Sequence, residues 1–223
     1  MIVLESMIQG SEEWLNARKG RATASEFKKI LTATGKASKS SLSYMRKLAR
    51  ECVCDDPQEF IGNKFTDWGH DWEPVARQWF ADNVNPLVKE VGFVGRGDGA
   101  PVGCSPDSLI VNDAGDYIEG LEIKCPQVDT HVKYLMEGVL PDDYKLQVHG
   151  SMAVTGLDRW HFVSFFPELP ALHLVIERDA FTEKVGAALD QFIIEYAPER
   201  ERVLTMLGIL TEAEADQNEG GVI

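Results

Sequence analysis

Gly103-Cys104-Ser105-Pro106-Asp107-Ser108-Leu109 and, after a polar turn, Tyr117-Ile118-Glu119-Gly120-Leu121-Glu122-Ile123-Lys124-Cys125-Pro126 decide how this chain is read. Each half has the make-up of a short β-strand, and Asn112-Asp113-Ala114-Gly115-Asp116 supplies hairpin-turn residues between them. Glu122 and Lys124 are two residues apart, so on a strand they share one face. Leu121, Ile123 and Cys125 fall on the other face, and Pro126 ends the strand. A hairpin brings Asp107 opposite the charged face. Two carboxylates and a lysine then share one small site.

That set has a chemical logic. Hard divalent cations such as Mg²⁺ take oxygen ligands: one or two carboxylates, backbone carbonyls, water and substrate phosphate. The expectation is that Asp107 and Glu122 hold the metal, with the carbonyl of Ile123 close enough to join them. Lys124 would sit beside an attacking water, and the reaction would be hydrolysis of a phosphodiester. The plain alternative is a turn aspartate followed by a solvated strand face. An aspartate with a later Glu-x-Lys arises by chance in many chains, so the motif needs support from elsewhere.

Length and composition set the frame. At 223 residues the chain is one domain with room for a substantial core, and 44% apolar with 26% charged residues is ordinary for a globular protein. The expected division is a single domain over residues 1–210 and an acidic, flexible tail over 211–223. No apolar run approaches the ~20 residues that cross a bilayer, and the N-terminus lacks a signal-peptide pattern. No membrane and a cytoplasmic location are therefore expected. Cys52, Cys54, Cys104 and Cys125 match no zinc module and read as reduced, structural residues.

The formal charge of −14 argues against a nucleic-acid partner until its distribution is examined. Between Ala17 and Arg50 ten basic residues face a single acid, Glu26, a local +9, which leaves −23 for the remainder. Positive charge concentrated in one segment of an acidic chain gives an anion an address; a solvated helix face is the bland alternative. Within this segment Ser11 caps a short helix. Thr23-Ala24-Ser25-Glu26 has capping-box spacing ahead of a second helix, whose exposed amides, with Arg18, Arg21 and Ser25, would seat a phosphate. Thr32 to Ser43 reads as a mobile basic loop, followed by a helix from about Leu42 to Cys52.

A helix is expected over Thr66 to Phe80, with Trp72, Val75, Ala76, Trp79 and Phe80 as its apolar stripe. Pro74 suggests that Glu73 lies near its start, where a carboxylate could complete the metal site or be an ordinary first-turn acid. Val88 to Gly95 reads as one strand. Helices are expected over Val128–Glu137 and Pro141–Val154, the second carrying Gln147, which needs a polar partner. Strands over Trp160–Phe166 and Leu172–Glu177 and a helix from Asp179, continuing beyond Pro198, complete an α/β architecture: a central mixed sheet flanked by helices.

With these residues in hand the chain resembles the lambda exonuclease family, the YqaJ-like viral recombination nucleases of the PD-(D/E)xK superfamily, such as phage or prophage alkaline exonucleases. The resemblance rests on Thr23-Ala24-Ser25-Glu26, Trp68-Gly69 with Glu73, Cys104-Ser105-Pro106-Asp107, Leu121-Glu122-Ile123-Lys124-Cys125-Pro126, Gln147-Val148 and Val175-Ile176-Glu177-Arg178. It implies a restriction-endonuclease-like core with Asp107, Glu122 and the Ile123 carbonyl on Mg²⁺, or Mn²⁺ as a substitute. Lys124, Glu73 and Gln147 would complete the catalytic set, and Arg18, Ser25 and Ser105 a 5′-phosphate pocket. The family implies processive 5′ to 3′ degradation of one strand of duplex DNA by a homotrimeric ring, in a bacterial host. A single-strand annealing protein would receive the exposed 3′ strand for recombination. Ser108, where the family often has Gly, and His149, where it often has a second glutamine, depart from the pattern without touching a proposed ligand. The competing readings are a structure- or sequence-selective endonuclease on the same core and a non-catalytic DNA-end-binding scaffold.

Overall fold

The computed structural model describes residues 1–54 and 64–210, the first four of the second span as backbone. The connection around Pro57 to Asn63 and the expected flexible tail over 211–223 lie outside the described residues. Five strands form the larger sheet: β3 (Val88–Lys89), β6 (Ser108–Val111), β7 (Tyr117–Lys124), β8 (Arg159–Ser164) and β9 (Leu172–Glu177), in the order β3-β6-β7-β8-β9. The hairpin read from the sequence is β6–β7. It is antiparallel with Ser108 opposite Leu121, and Asn112 Oδ1 accepts from the backbone N–H groups of Ala114 and Asp116 to close the turn. β7 and β8 run parallel, so the chain crosses over between them through two helices, α4 (Val128–Glu137) and α5 (Asp142–Thr155).

Strand alternation places the core on both faces of β7. Leu121 and Ile123 pack with Val163 and Phe165 against Ala76 and Phe80 of the helix α3 (Lys64–Asn83). On the opposite face Leu109, Trp160 and Phe162 join Leu146 and Met152 of α5 and Val185, Leu189 and Phe192 of the helix α6 (Ala180–Met206). Gly120 lies directly beneath the indole of Trp160, where any side chain would collide with the ring. The helix α6 starts on an Asp179–Thr182 capping box and passes Pro198 without interruption.

A second sheet, not separated by the sequence reading, joins β1 (Ile2–Leu4), β4 (Phe93–Gly95), β5 (Val102–Cys104) and β2 (Ala22–Thr23) in the order β1-β4-β5-β2. The single strand expected over Val88 to Gly95 is thereby split between two sheets. The change of sheet occurs at Gly92, which is pressed so closely on Met7 that no Cβ fits, while its N–H donates to Leu4 O at 3.2 Å. After β5 the chain returns to the larger sheet through Ser105-Pro106-Asp107, so the link between the sheets carries two of the candidate site residues.

Three local expectations are corrected. The segment after Thr23 is a 3₁₀ helix, Ala24–Lys29, and Thr23 makes no side-chain cap bond; its hydroxyl accepts instead from Arg18 Nη2 at 3.3 Å. Within the loop expected after Leu31, residues 32–38 close into a turn, with a bridge between Leu31 and Ala37 and Thr32 N donating to Lys36 O at 2.8 Å. Pro74 lies within α3, not near its start, which puts Glu73 in mid-helix. Val75, counted in the apolar stripe, is 45% exposed. Before α3 come α1 (Glu12–Arg18), capped by Ser11, and α2 (Ser41–Glu51). Among the described residues no helix is long and apolar enough to cross a membrane.

Candidate active site

The hairpin register decides where the carboxylates meet. Ser108 pairs with Leu121, so Asp107, one residue before β6, faces the end of β7 that carries Glu122 to Lys124. Asp107 Oδ2 accepts a hydrogen bond from Ile123 N at 2.5 Å, which ties the aspartate to the second strand. Glu122 is 1% exposed, and its Oε1 accepts from Lys124 Nζ at 2.5 Å and from Gln147 Nε2, across from α5, at 2.5 Å. This contact answers the need that the sequence raised for a partner to Gln147. Glu122 Oε2 is buried and has no hydrogen-bond partner among the described residues. The Lys124 ammonium also lies over the Tyr144 ring, 5.3 Å from its centroid.

Glu73 reaches the site from α3. A cavity of about 310 Å³ is lined by Glu73, Asp107, Ile123, Lys124, His70 and Tyr144. Glu73 Oε1 accepts from Arg77 Nη2 at 2.5 Å. Arg77 was not singled out by the sequence reading: a basic residue four after an acid on a helix reads as a surface pair. Here its Nη2 also donates to Asp107 O at 3.3 Å and its Nε to Ser108 Oγ at 2.9 Å.

Burial governs the electrostatics. Desolvation pushes the Glu122 carboxyl up to about 8 and Glu73 up to about 7, and raises Asp107. The carboxylates add to one another's cost, because Asp107 raises both Glu122 and Glu73. Lys124 moves upward despite the desolvation that opposes it, because Glu122 and Asp107 favour its charged form. Among the described residues no three His, Cys, Asp or Glu side chains already stand as a metal-binding group. The oxygens are engaged by the chain itself: Glu122 by Lys124 and Gln147, Asp107 by the Ile123 amide, Glu73 by Arg77. The bare Glu122 Oε2 and the all-oxygen character of the carboxylates and the Ile123 carbonyl nonetheless suit a hard divalent cation.

A pH dependence follows. A carboxyl whose folded pKa lies above its unfolded value binds more protons in the native state between the two values. For Glu122 that window runs from the ordinary 4.5 to about 8, so stability falls as pH rises through it. The cation-free protein is expected to melt at lower temperature at pH 8 than at pH 5.5, and added Mg²⁺ to recover more of the loss at the higher pH. Thermal unfolding at both pH values, with and without Mg²⁺, checks this; a midpoint that rises toward pH 8 in EDTA contradicts it.

A second cluster lies two residues away along the inter-sheet link. Arg18 Nη1 donates to Ser105 Oγ at 3.0 Å, and Trp14 Nε1 donates to the same oxygen at 3.0 Å. The Arg18 guanidinium stacks 4.2 Å above the Trp14 ring. Gln9 Nε2 donates to Pro106 O at 2.9 Å and steadies the link. The structure thus brings Arg18 and Ser105 together, and adds Trp14 and Thr23, which the sequence reading did not place there. Ser25 is exposed on the 3₁₀ helix, and among the described contacts no hydrogen bond joins it to Arg18 or Ser105. Part of the basic segment's charge is compensated: Lys29 pairs with Glu26, and Arg46 Nε lies 2.6 Å from Glu199 Oε1. Lys28, Lys36 and Lys39 are exposed.

Comparison with known proteins places the chain in a family. Residues 13–158 match the model of the YqaJ-like viral recombinase domain. Among solved structures, an alkaline exonuclease (LHK-Exo) from Laribacter hongkongensis superposes with a TM-score of 0.75 at 29% identity, over 89% of this chain and 98% of that one. The same enzyme in complex with dAMP gives 0.73 at 29%, with the same coverage. A phage-related exonuclease from Haemophilus somnus 129PT shares the fold, with a TM-score of 0.61 at 16% identity over 83% of this chain and 96% of that one. No curated protein matches.

Proposed function

The chain belongs to the family of YqaJ-like viral recombinase domains, and we propose that it degrades the 5′-ended strand of double-stranded DNA, 5′ to 3′ and processively, with Mg²⁺. It is a nuclease on a mixed α/β fold of the PD-(D/E)xK type, similar to an alkaline exonuclease over 89% of its length. The observation that supports the proposal is that Lys124 and Gln147 meet on buried Glu122 while Asp107 is tied to the next residue, Ile123, with Glu122 Oε2 left without a partner among the described residues. In this reading Asp107, Glu122 and the Ile123 carbonyl hold the cation, and Glu73 is placed across the cavity to complete its oxygen set. When bound, the ion would polarise the phosphodiester and acidify a water.

The chain's own residues do the rest. Gln147 fixes the Glu122 carboxylate by donating to Oε1. Lys124 keeps 26% of its side chain exposed at the cavity, so its ammonium can donate to a water there and orient it toward phosphorus. Arg18 and Ser105, with Thr23 beside them and Ser25 on the neighbouring 3₁₀ helix, form the 5′-phosphate pocket that makes the enzyme start at ends. The family resemblance extends the reading to residues 1–210 as one nuclease domain, a homotrimeric ring, Mn²⁺ as a substitute ion and a single-strand annealing protein as partner.

Digestion of a linear duplex with 5′-phosphorylated ends, in Mg²⁺ and in EDTA, tests the proposal, with a closed circular duplex as control. Progressive loss of the 5′-ended strand from the linear DNA only, abolished by EDTA, is the expected result. Cutting of the closed circle would favour an endonuclease, and no cutting of either DNA a binding scaffold. Arg18→Ala is expected to lower the preference for 5′-phosphate over 5′-hydroxyl ends roughly tenfold, the loss of one charge-assisted contact. The ratio of initial rates on the two substrates measures it, and an unchanged ratio removes Arg18 from the pocket.

A further inference from the structure

Arg77 has no part in the chemistry described above, yet its guanidinium joins three separate segments at the edge of the site. From mid-α3, its Nη2 reaches Glu73 Oε1 at 2.5 Å on its own helix and Asp107 O at 3.3 Å on the inter-sheet link. Its Nε donates to Ser108 Oγ at 2.9 Å at the start of β6, and its Nη1 to Glu90 Oε2 at 3.1 Å between the two sheets. Ser108 is fully buried and its hydroxyl donates a hydrogen bond to Asp107 O at 2.6 Å, so Asp107 O accepts from two donors at once. These bonds reach the backbone from which the Asp107 carboxylate projects, and Arg77 acts on the carboxylate itself only through its charge. A planar fork is needed for this; a lysine at the same place has one nitrogen and could not serve four acceptors.

We infer that Arg77 is a positioning residue for the divalent-cation site, holding Asp107 at its distance from Glu122 and keeping Glu73 directed to the cavity. The inference rests on the proposal that Asp107 and Glu122 bind a cation. Partners that orient metal ligands typically contribute 10–100-fold to metal affinity. Ser108 belongs to the same device. Where the family resemblance has glycine, this chain has a hydroxyl that both accepts from Arg77 and donates to Asp107, which makes the brace continuous.

The test is isothermal titration of the full-length protein with Mn²⁺ alone, without DNA, for wild type, Arg77→Lys, Arg77→Met and Ser108→Ala. Melting curves accompany each titration. Arg96→Ala serves as control, because Arg96 pairs with Asp98 and Asp190 away from the site. Both Arg77 variants are expected to bind Mn²⁺ at least about tenfold more weakly, and Ser108→Ala a few-fold more weakly, with Arg96→Ala unchanged. Should the Arg77 variants fail to fold, Ser108→Ala decides alone: unchanged affinity overturns the inference. Wild-type affinity in Arg77→Lys overturns it too, since charge without the fork would then suffice, as does an equal loss in Arg96→Ala. A wild type that takes up no Mn²⁺ overturns the cation-site proposal itself, which separates the two failures.

Discussion

Lys124→Ala is expected to lower cleavage roughly 10²–10⁴-fold, the range for losing a positioned proton-transfer or charge-stabilising group. DNA binding should persist, because the phosphate contacts assigned to Arg18 and Ser105 lie on another part of the chain. The substitution removes the ammonium at 2.5 Å from Glu122 Oε1 and over the Tyr144 ring, yet leaves Gln147 on the same oxygen. The carboxylate therefore keeps its orientation while the nearest donor to an entering water is lost. Single-turnover cleavage in saturating Mg²⁺, paired with a band-shift assay in Ca²⁺, separates the two effects. Turnover within tenfold of wild type rejects the role given to Lys124.

Glu122→Gln should be as severe for a different reason. The amide has the shape of the carboxylate but not its charge, so the cation loses an anionic ligand. Mn²⁺ affinity should drop roughly 10²-fold or more, and cleavage should stay at background even in excess Mg²⁺. The loss of charge also removes the partner that holds Lys124 in place, and the desolvation cost that lifts the Glu122 carboxyl to about 8 disappears with it. The variant should consequently lose much of the decline in melting temperature expected between pH 5.5 and pH 8. Cation titration and a pair of melts measure both consequences; normal Mn²⁺ binding by Glu122→Gln would exclude this residue as a ligand.

The hairpin was legible because two short-range signals agree there. Strand alternation sets Glu122 and Lys124 on one face, and the Asn112–Asp116 turn fixes the register that brings Asp107 across. Gln147 was legible as a polar residue in need of a partner, though not which partner. Arg77 was hidden because its acceptors Asp107, Ser108 and Glu90 are distant in sequence. The division of residues 88–95 between two sheets was equally hidden, since the steric cause, Met7 against Gly92, acts across most of a hundred residues. Thr23 showed the spacing of a helix cap, but its hydroxyl accepts instead from Arg18, five residues earlier. Glu73 was expected near a helix start because Pro74 suits one; in the structure α3 runs through the proline.

The parallel alignment of β7 with β8 carries a consequence for the order in which the molecule becomes competent. Lys124 O accepts from Phe165 N at 2.9 Å, and the strand that bears Glu122, already paired with β6, gains its second neighbour only when residues 159–164 are in place. Gln147, the last of the converging groups, lies in the crossover that must be laid down between them. A growing polypeptide on the ribosome therefore holds Asp107, Glu122 and Lys124 well before it holds Gln147 and the strand that flank them.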